Sequence, residues 1–338
     1  MSRIRAAVIG LGYWGPNLAR NFQVSDDFEL VAVCEKAEAR LAKVGGNFPS
    51  AKRFSDVGTM LKEAKPELVA VATPVGTHRA LVLAALEAGC DVLCEKPLAD
   101  SVRDATELVE TAAKLGRKLF VDHTFVYTGA VRALRRMYEG GRLGDLFYVD
   151  SVRINLGLFQ PDVDVIWDLA PHDLSIINHV IQRKAVSVRA HGSSHNPRDI
   201  ADVAYLSVEY EGGLTANMHL SWLSPVKVRR MIFSGTKSSA IYDDLEASEK
   251  IKIYDHGVSF DVADLETRSQ VQVNYRRGDM HAPAIDNLEA LSVETREIAR
   301  AIRGGALPDA MDEHGLAIVR VLEAATKSLA NDGIKIVL

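Results

Sequence analysis

Ile4-Arg5-Ala6-Ala7-Val8-Ile9-Gly10-Leu11-Gly12-Tyr13-Trp14-Gly15 opens the chain and decides its fold. An apolar, partly β-branched run ends at Gly10, and glycines follow at Gly12 and Gly15. The pattern is G-x-G-x-x-G between an expected strand and an expected helix over Pro16–Phe22. Gly10 suits a tight turn, Gly12 a close backbone approach to a pyrophosphate, and Gly15 the packing of helix on strand. The N–H groups and dipole at the helix start attract phosphates. Taken alone, the pattern fits a glycine-rich turn without a ligand equally well. A second signal lies at the right distance: Glu29–Cys34 reads as the next strand, and Glu35 follows Gly15 by 20 residues (35 − 15). A carboxylate there can accept the ribose hydroxyls of an adenosine.

Outward from this turn, apolar strands alternate with helical patterns as far as His123, which implies βαβ units and a parallel sheet. Asp56 caps an expected short helix ending near Ala64, and Leu68–Ala72 reads as a buried strand. Thr77 stands where it can cap a helix that runs to Gly89. The strand Asp91–Cys94 leads into Glu95-Lys96-Pro97, Ser101 and Asp104 suggest a capping box, and Leu119–Val121 is one more strand. In such sheets ligands bind beyond the carboxyl ends of the strands. Three polar clusters fall there: Thr73 to His78, Glu95 to Pro97, and Asp122 to Thr124. His78 on its own reads as a solvated residue at a helix start. Lys96 is held extended by Pro97, and a lysine at that edge is a candidate proton donor or acceptor.

The glycine fingerprint, Ala72-Thr73-Pro74 with Thr77-His78, and Glu95-Lys96-Pro97 together resemble the Gfo/Idh/MocA oxidoreductases, relatives of glucose–fructose oxidoreductase and inositol dehydrogenase. The resemblance implies an α/β protein: an N-terminal Rossmann dinucleotide-binding domain over 1–124, and a C-terminal α/β domain over 125–338. The second domain carries a large open, mostly antiparallel sheet that binds substrate and often joins subunits, and the C-terminal helix is able to pack back on the first domain. It also implies that Lys96 is catalytic and that the bond before Pro97 can be cis.

The residue pattern changes after His123. A helix is expected over Ala130–Glu139, followed by alternating strands at Phe147–Ile154, Ala185–Ala190, Val203–Tyr210, Leu214–Trp222, Lys227–Ser234 and Ala240–Asp243. Glu211-Gly212-Gly213 reads as a hairpin turn, and the one-sided alternation suits a sheet covered on one face by helices. Glu289–Ile302 and Gly315–Leu329 read as covering helices. In Trp167–Ser175, Asp168 can cap a helix with Pro171 in its first turn. His172 lies four residues on, near the same face, and Asp173 points elsewhere. Residue types alone leave two readings open, a capped helix with a surface histidine or a functional pair. In the family an aspartate and a histidine stand four apart at the start of this helix beside the nicotinamide, and Asp168 and His172 match that pair.

The resemblance thus implies Lys96, His172 and Asp168 as the catalytic group. Lys96 and His172 would meet across a cleft between the domains and divide proton transfer and polarisation of the reacting oxygen, in either order. Histidine suits proton transfer near neutrality. Gly10, Gly12, Tyr13, Trp14, Gly15, Glu35, Lys36, Arg40, Thr73, Pro74, Thr77, His78, Glu95 and Lys96 would line the cofactor site. Glu35 favours NAD by repelling a 2′-phosphate, while Lys36 and Arg40 leave room for NADP. The substrate is expected to be a sugar or polyol. His123 and Tyr127 in the run His123–Tyr127, and the segment Ser221-Trp222…Lys227–Arg230, look most like members acting on nucleotide-linked sugars. With Lys96, Asp168 and His172, the expected substrate contacts are His123, Tyr127, Arg153, Asn155, Lys227 and Arg229. C3 oxidation of a UDP-linked N-acetylhexosamine or its uronic acid comes first. An inositol-type polyol dehydrogenase, a ketosugar reductase and a non-catalytic NAD-binding sensor are the alternatives.

Composition bounds these readings. The 338 residues are 47% hydrophobic and 25% charged, which is ordinary for a globular protein long enough for two domains. A net charge of −5 argues against general affinity for nucleic acid or anionic membranes. No apolar run is long enough to span a bilayer, no leader is expected, and a cytoplasmic location follows. Cys34, Cys90 and Cys94 lack the spacing of a zinc site and read as reduced packing residues, so no metal is expected. A homodimer or homotetramer through the C-terminal sheet is the expected assembly.

Overall fold

The computed structural model describes residues 2–157, 159–160, 163–262, 271–308 and 311–338. The chain divides into two compact units, Met1–Thr128 with Leu288–Glu323, and Gly129–Asn287 with Ala324–Leu338. The division expected at residue 125 falls instead after Thr128, and 288–323 also belong to the first unit. The cause is apolar packing: Leu291, Ile298, Ala299 and Ala301 are buried in one cluster with Leu18, Phe22 and Phe28.

The first unit begins with β1 (Ile4–Ile9), α1 (Gly15–Val24), β2 (Phe28–Cys34), α2 (Glu38–Gly45), β3 (Lys52–Phe54) and α3 (Val57–Ala64). It continues with β4 (Leu68–Val71), α4 (His78–Glu87), β5 (Asp91–Glu95), α5 (Val102–Leu115) and β6 (Leu119–Asp122). Among the described residues these strands form one sheet in the order β3-β2-β1-β4-β5-β6. Every pair in it is parallel. Such strands must be apolar on both faces, and β4 is buried at every position. The strand order reverses between β1 and β4, and the crevice at their carboxyl ends is where such sheets bind ligands. Helix starts follow the sequence at Asp56, whose carboxylate accepts from Thr59 N at 2.7 Å, and at Ser101, which accepts from Asp104 N at 3.2 Å. Thr77 does not cap α4 as expected. Its hydroxyl bonds instead to the Thr73 hydroxyl and the Pro74 carbonyl, each at 2.7 Å.

The second unit contains α6 (Gly129–Glu139), β7 (Leu146–Leu156), α7 (Val165–Ile181), β8 (Ala185–Ser193), β9 (Val203–Tyr210), β10 (Thr215–Ser221), β11 (Leu223–Gly235), β12 (Ser239–Asp243) and β13 (Ile251–Tyr254). A separate hairpin pairs β14 (Gly257–Val262) with β15 (Val271–Arg276), and β16 (Met280–His281) follows. The chain then supplies α8 (Ala290–Ile302) and the first part of α9 (Asp312–Leu329) to the first unit, and β17 (Ile336–Val337) to the second. Among the described residues the large sheet has the order β16-β13-β12-β11-β7-β10-β9-β8-β17. It is antiparallel except where β10 runs parallel to β7. Gly212 and Gly213, at φ 81° and 79°, make the expected hairpin between β9 and β10. Along β9, Ala204, Leu206, Val208 and Tyr210 are buried while Tyr205 is 52% exposed, so only one face of this strand is covered.

Candidate active site

The glycine turn separates the three roles expected of it. Gly10 has φ 93°, and a Cβ there would collide with the Ala72 carbonyl. A Cβ at Gly15 would strike the carbonyl oxygen of Gly10, so helix and strand meet as closely as glycine permits. At Gly12 a Cβ would meet nothing within 4 Å, so the space over the turn is open on the side where a pyrophosphate would approach. Glu35 closes β2 and is 8% exposed. Its carboxylate accepts from Leu11 N and from Ala37 N, each at 2.9 Å, and Arg40 lies 3.5 Å away. Burial works against the charge, but these two N–H groups and Arg40 outweigh it and hold the carboxyl below its usual range. The fixed anion beside open space over Gly12 fits the ribose and pyrophosphate of NAD, which Gly12, Glu35 and the start of α1 would hold. Lys36 and Tyr13 are exposed.

A second polar group lines the ends of β4, β5 and β6. His78, read as solvated from sequence, is 1% exposed. Its ring nitrogens stand 3.0 Å from the Pro97 carbonyl and 2.8 Å from the Thr73 carbonyl, so it ties two strand ends together. Burial lowers its pKa against the pull of these carbonyls. The Lys96–Pro97 bond is cis. Lys96 is half-buried, and its N–H donates to the Glu95 carboxyl at 3.0 Å. Burial and the adjacent Asp122 push Glu95 well above the usual carboxylate range. Asp122 accepts from the Trp14 indole at 2.6 Å, which brings a residue of the glycine turn to the end of β6. His123 is 1% exposed, and burial, His314 and Lys96 hold its pKa well down. Tyr127 is buried against Val126 and Val293. Sequence reading missed Glu294 and His314, which reach this pocket from α8 and α9.

In the second unit the cap of α7 is Asp164 rather than Asp168. Its carboxylate accepts from Ile166 N at 2.9 Å and Trp167 N at 3.0 Å. Val165 and Ile166 are fully buried, and this packing extends the helix back by a turn. Pro171 is accordingly inside the helix. Asp168 lies in the first turn and accepts from the Trp222 indole at 3.0 Å. His172, four residues on, is half-buried like Asp168. Asp173 is buried and accepts from Ser151 and from Arg153 Nε, each at 2.6 Å. Arg153, an expected substrate contact, is therefore engaged in an internal ion pair. Asn155 is half-buried towards the end of β7. Lys227 is exposed at an irregularity in the pairing of β11, and Arg229 faces Asp244 at 3.3 Å.

The thiols of Cys34, Cys90 and Cys94 are all buried. Burial raises Cys34 and Cys90 to about 11. Among the described residues, no helix is long and apolar enough to cross a membrane.

Residues 4–123 match the profile of the oxidoreductase family with an NAD-binding Rossmann fold, and 131–241 match the GFO/IDH/MocA C-terminal domain. D-apiose dehydrogenase of Rhizobium rhizogenes is 27% identical over 66% of this chain and 67% of its own length. Scyllo-inositol 2-dehydrogenase (NAD(+)) of Bacillus subtilis is 24% identical over 97% of this chain and 95% of its own. The solved structure of UDP-N-acetylglucosamine 3-dehydrogenase GnnA from Acidithiobacillus ferrooxidans aligns with a TM-score of 0.80 and 25% identity, covering 98% of this chain and 99% of that one. With family profiles matched in both halves, the chain belongs to the GFO/IDH/MocA family of NAD-binding oxidoreductases.

Proposed function

We propose that the protein oxidises a secondary hydroxyl of a sugar with NAD, its substrate being a UDP-linked N-acetylhexosamine or the corresponding uronic acid and the reacting carbon C3. Lys96 carries this reading, as a half-buried lysine just beyond the carboxyl end of β5, in the same sheet whose β1 leads into the glycine turn. When bound, NAD supplies the acceptor for the hydride. The chain must then take the hydroxyl proton and hold the oxygen, a task suited to Lys96 and His172. Asp168, anchored by the Trp222 indole, would orient His172 from one turn away. The nucleotide-sugar assignment is supported by the likeness to GnnA along the whole chain. A polyol substrate is the second reading, favoured by the likeness to the scyllo-inositol enzyme.

A screen of UDP-sugars and free polyols against the NAD-loaded protein, read as NADH absorbance, tests the proposal. Turnover with UDP-N-acetylhexosamines or their uronic acids is expected. Turnover with inositols alone would favour the second reading, and turnover with none would favour an NAD-binding sensor. We further propose assembly as a homodimer or homotetramer through the nine-stranded sheet, where Tyr205 and His219 stack at 4.4 Å and Tyr205 stays exposed. Light scattering behind size exclusion would show a single monomer mass if this is wrong.

A further inference from the structure

Behind the start of α1, three carboxyl groups converge from three elements. Asp122, at the end of β6, is 2% exposed. One of its oxygens accepts from the Trp14 indole at 2.6 Å and the other from the Thr124 hydroxyl at 2.5 Å. Glu95 approaches it from β5 and Glu294 from α8, each within side-chain hydrogen-bonding reach. Glu294 is 1% exposed, and neither of its oxygens finds an N–H or hydroxyl donor among the described residues. Its hydrogen-bonding neighbour is therefore another carboxyl. Two carboxyl groups bond to each other only through a proton, and Asp122 already accepts at both oxygens. The proton belongs on Glu294.

We propose that Glu294, as a neutral acid, donates to Asp122 and so fixes the Trp14 indole, which makes it a positioning residue for the NAD site. Trp14 is the residue just before α1, and its carbonyl accepts from Asn17 N at 2.8 Å. Whatever fixes its side chain also fixes the helix start that would meet the pyrophosphate. If Glu294 lost its proton, two carboxylates would face each other in a buried site and the Asp122–Trp14 bond would loosen.

The surroundings keep the proton in place. Burial, then Asp122 and Glu95, push Glu294 well above the usual carboxylate range. The Tyr127 hydroxyl also faces Glu294, with Glu297 nearby on α8, and burial pushes this phenol well up. His314 and His123 pack edge to face at 5.3 Å. Burial lowers His314 to about 4 and His123 well below its usual value, so neither is a cation at neutral pH. Lys96 neighbours Glu95 and lowers its value, too little to offset burial and Asp122. Among the described residues no group of three or more His, Cys, Asp or Glu is placed to hold a metal ion.

The proposal concerns NAD binding and is independent of which sugar is oxidised. It is tested by fluorescence titration with NADH, without substrate, from about pH 6 to about pH 9, so that ionisation of a raised carboxyl would show as a loss of affinity on the alkaline side. Glu294→Gln keeps an N–H donor towards Asp122, and is expected to bind NADH within about twofold of wild type with a flat pH profile. Glu294→Leu removes the donor and should weaken NADH binding about tenfold, on the scale of one hydrogen bond to a charged group. The wild type should lose affinity towards alkaline pH. If Glu294→Leu binds like wild type, the positioning role is overturned. It is also overturned if Glu294→Gln is as weak as Glu294→Leu, since the mobile proton would then matter and not the donor. Should the Leu variant fail to fold, Trp14→Phe cuts the same tether at its other end, and it should show the tenfold loss without the alkaline dependence. A wild-type affinity for NADH in Trp14→Phe would overturn the proposal. Failure of the wild type to bind NADH at all would instead sink the cofactor assignment.

Discussion

Glu35 and Glu95 stand at the carboxyl edge of the same sheet, beyond β2 and at the end of β5, and their carboxyl groups are driven in opposite directions. Glu35 faces two backbone N–H groups and Arg40 and is held ionised. Glu95 has one N–H, from Lys96, and a second carboxyl beside it, and burial with Asp122 pushes it well above the usual carboxylate range. Burial opposes the charge in both, so the donors supplied by the surrounding backbone decide the outcome. One sheet edge thus carries a carboxyl pushed down beyond β2 and a carboxyl pushed up at the end of β5.

The largest effects should separate the two ends. Lys96→Met and His172→Ala are each expected to lower kcat by about 10²–10⁴-fold while leaving NAD affinity nearly unchanged. The double variant should cost far less than the product of the two, because the residues act as one unit. Near-normal kcat in both single variants on the true substrate would remove the proton-transfer assignment. At the other end, wild type should bind NADH at least about tenfold more tightly than NADPH, and Glu35→Ala should narrow that ratio. Equal affinities in the wild type would mean that Lys36 or Arg40 outweighs the carboxylate.

A smaller effect is sharper because its sign reverses. Glu95, raised in the fold, costs stability as pH rises above the ordinary carboxylate range. Glu95→Gln should therefore be more stable than wild type by on the order of 1 kcal/mol near neutrality, with the gap vanishing in acid. Glu35, lowered in the fold, contributes stability above that range and loses it as pH falls through its folded value. Glu35→Gln should be less stable near neutrality, with its gap also closing in acid. Urea unfolding at several pH values measures both, and shifts of the same sign would break the contrast. The smallest effect expected is at the cysteines. Cys94 lies within β5 one residue before Glu95, and its thiol is pushed well above its ordinary value. Replacing Cys34, Cys90 or Cys94 with Ala or Ser should leave turnover within about a few-fold. Loss of activity to a chelator with recovery on adding zinc would contradict this.

What could be read from the sequence follows the same division. Gly10, Gly12, Gly15 and Glu35 are legible because their roles depend on local backbone and short spacing. The turn forms, with Gly10 at positive φ and Gly15 packed against the Gly10 carbonyl as expected. Lys96 is legible because a following proline restricts it. Glu294 is not, because it comes from a helix that looks like an ordinary amphipathic cover and meets Asp122 only in three dimensions. The sequence cannot separate Asp164 from Asp168 as the cap of α7, because the two are four residues apart and chemically equivalent. Burial of Val165 and Ile166, which no local rule supplies, decides between them. His78 misleads for a similar reason: a helix-start position is usually solvated, but here two strand-end carbonyls enclose the ring.

The three tryptophans each donate an indole N–H to a different side chain: Trp14 to Asp122, Trp167 to Thr326 and Trp222 to Asp168. Indole emission responds to the group its N–H meets, so the chain carries one native fluorophore beside the glycine turn, one on α7 facing α9 and one at Asp168, the aspartate proposed to orient His172. Single Trp→Phe replacements would resolve their signals. Cofactor arrival, helix docking and substrate arrival could then be followed as separate optical events in the unlabelled protein.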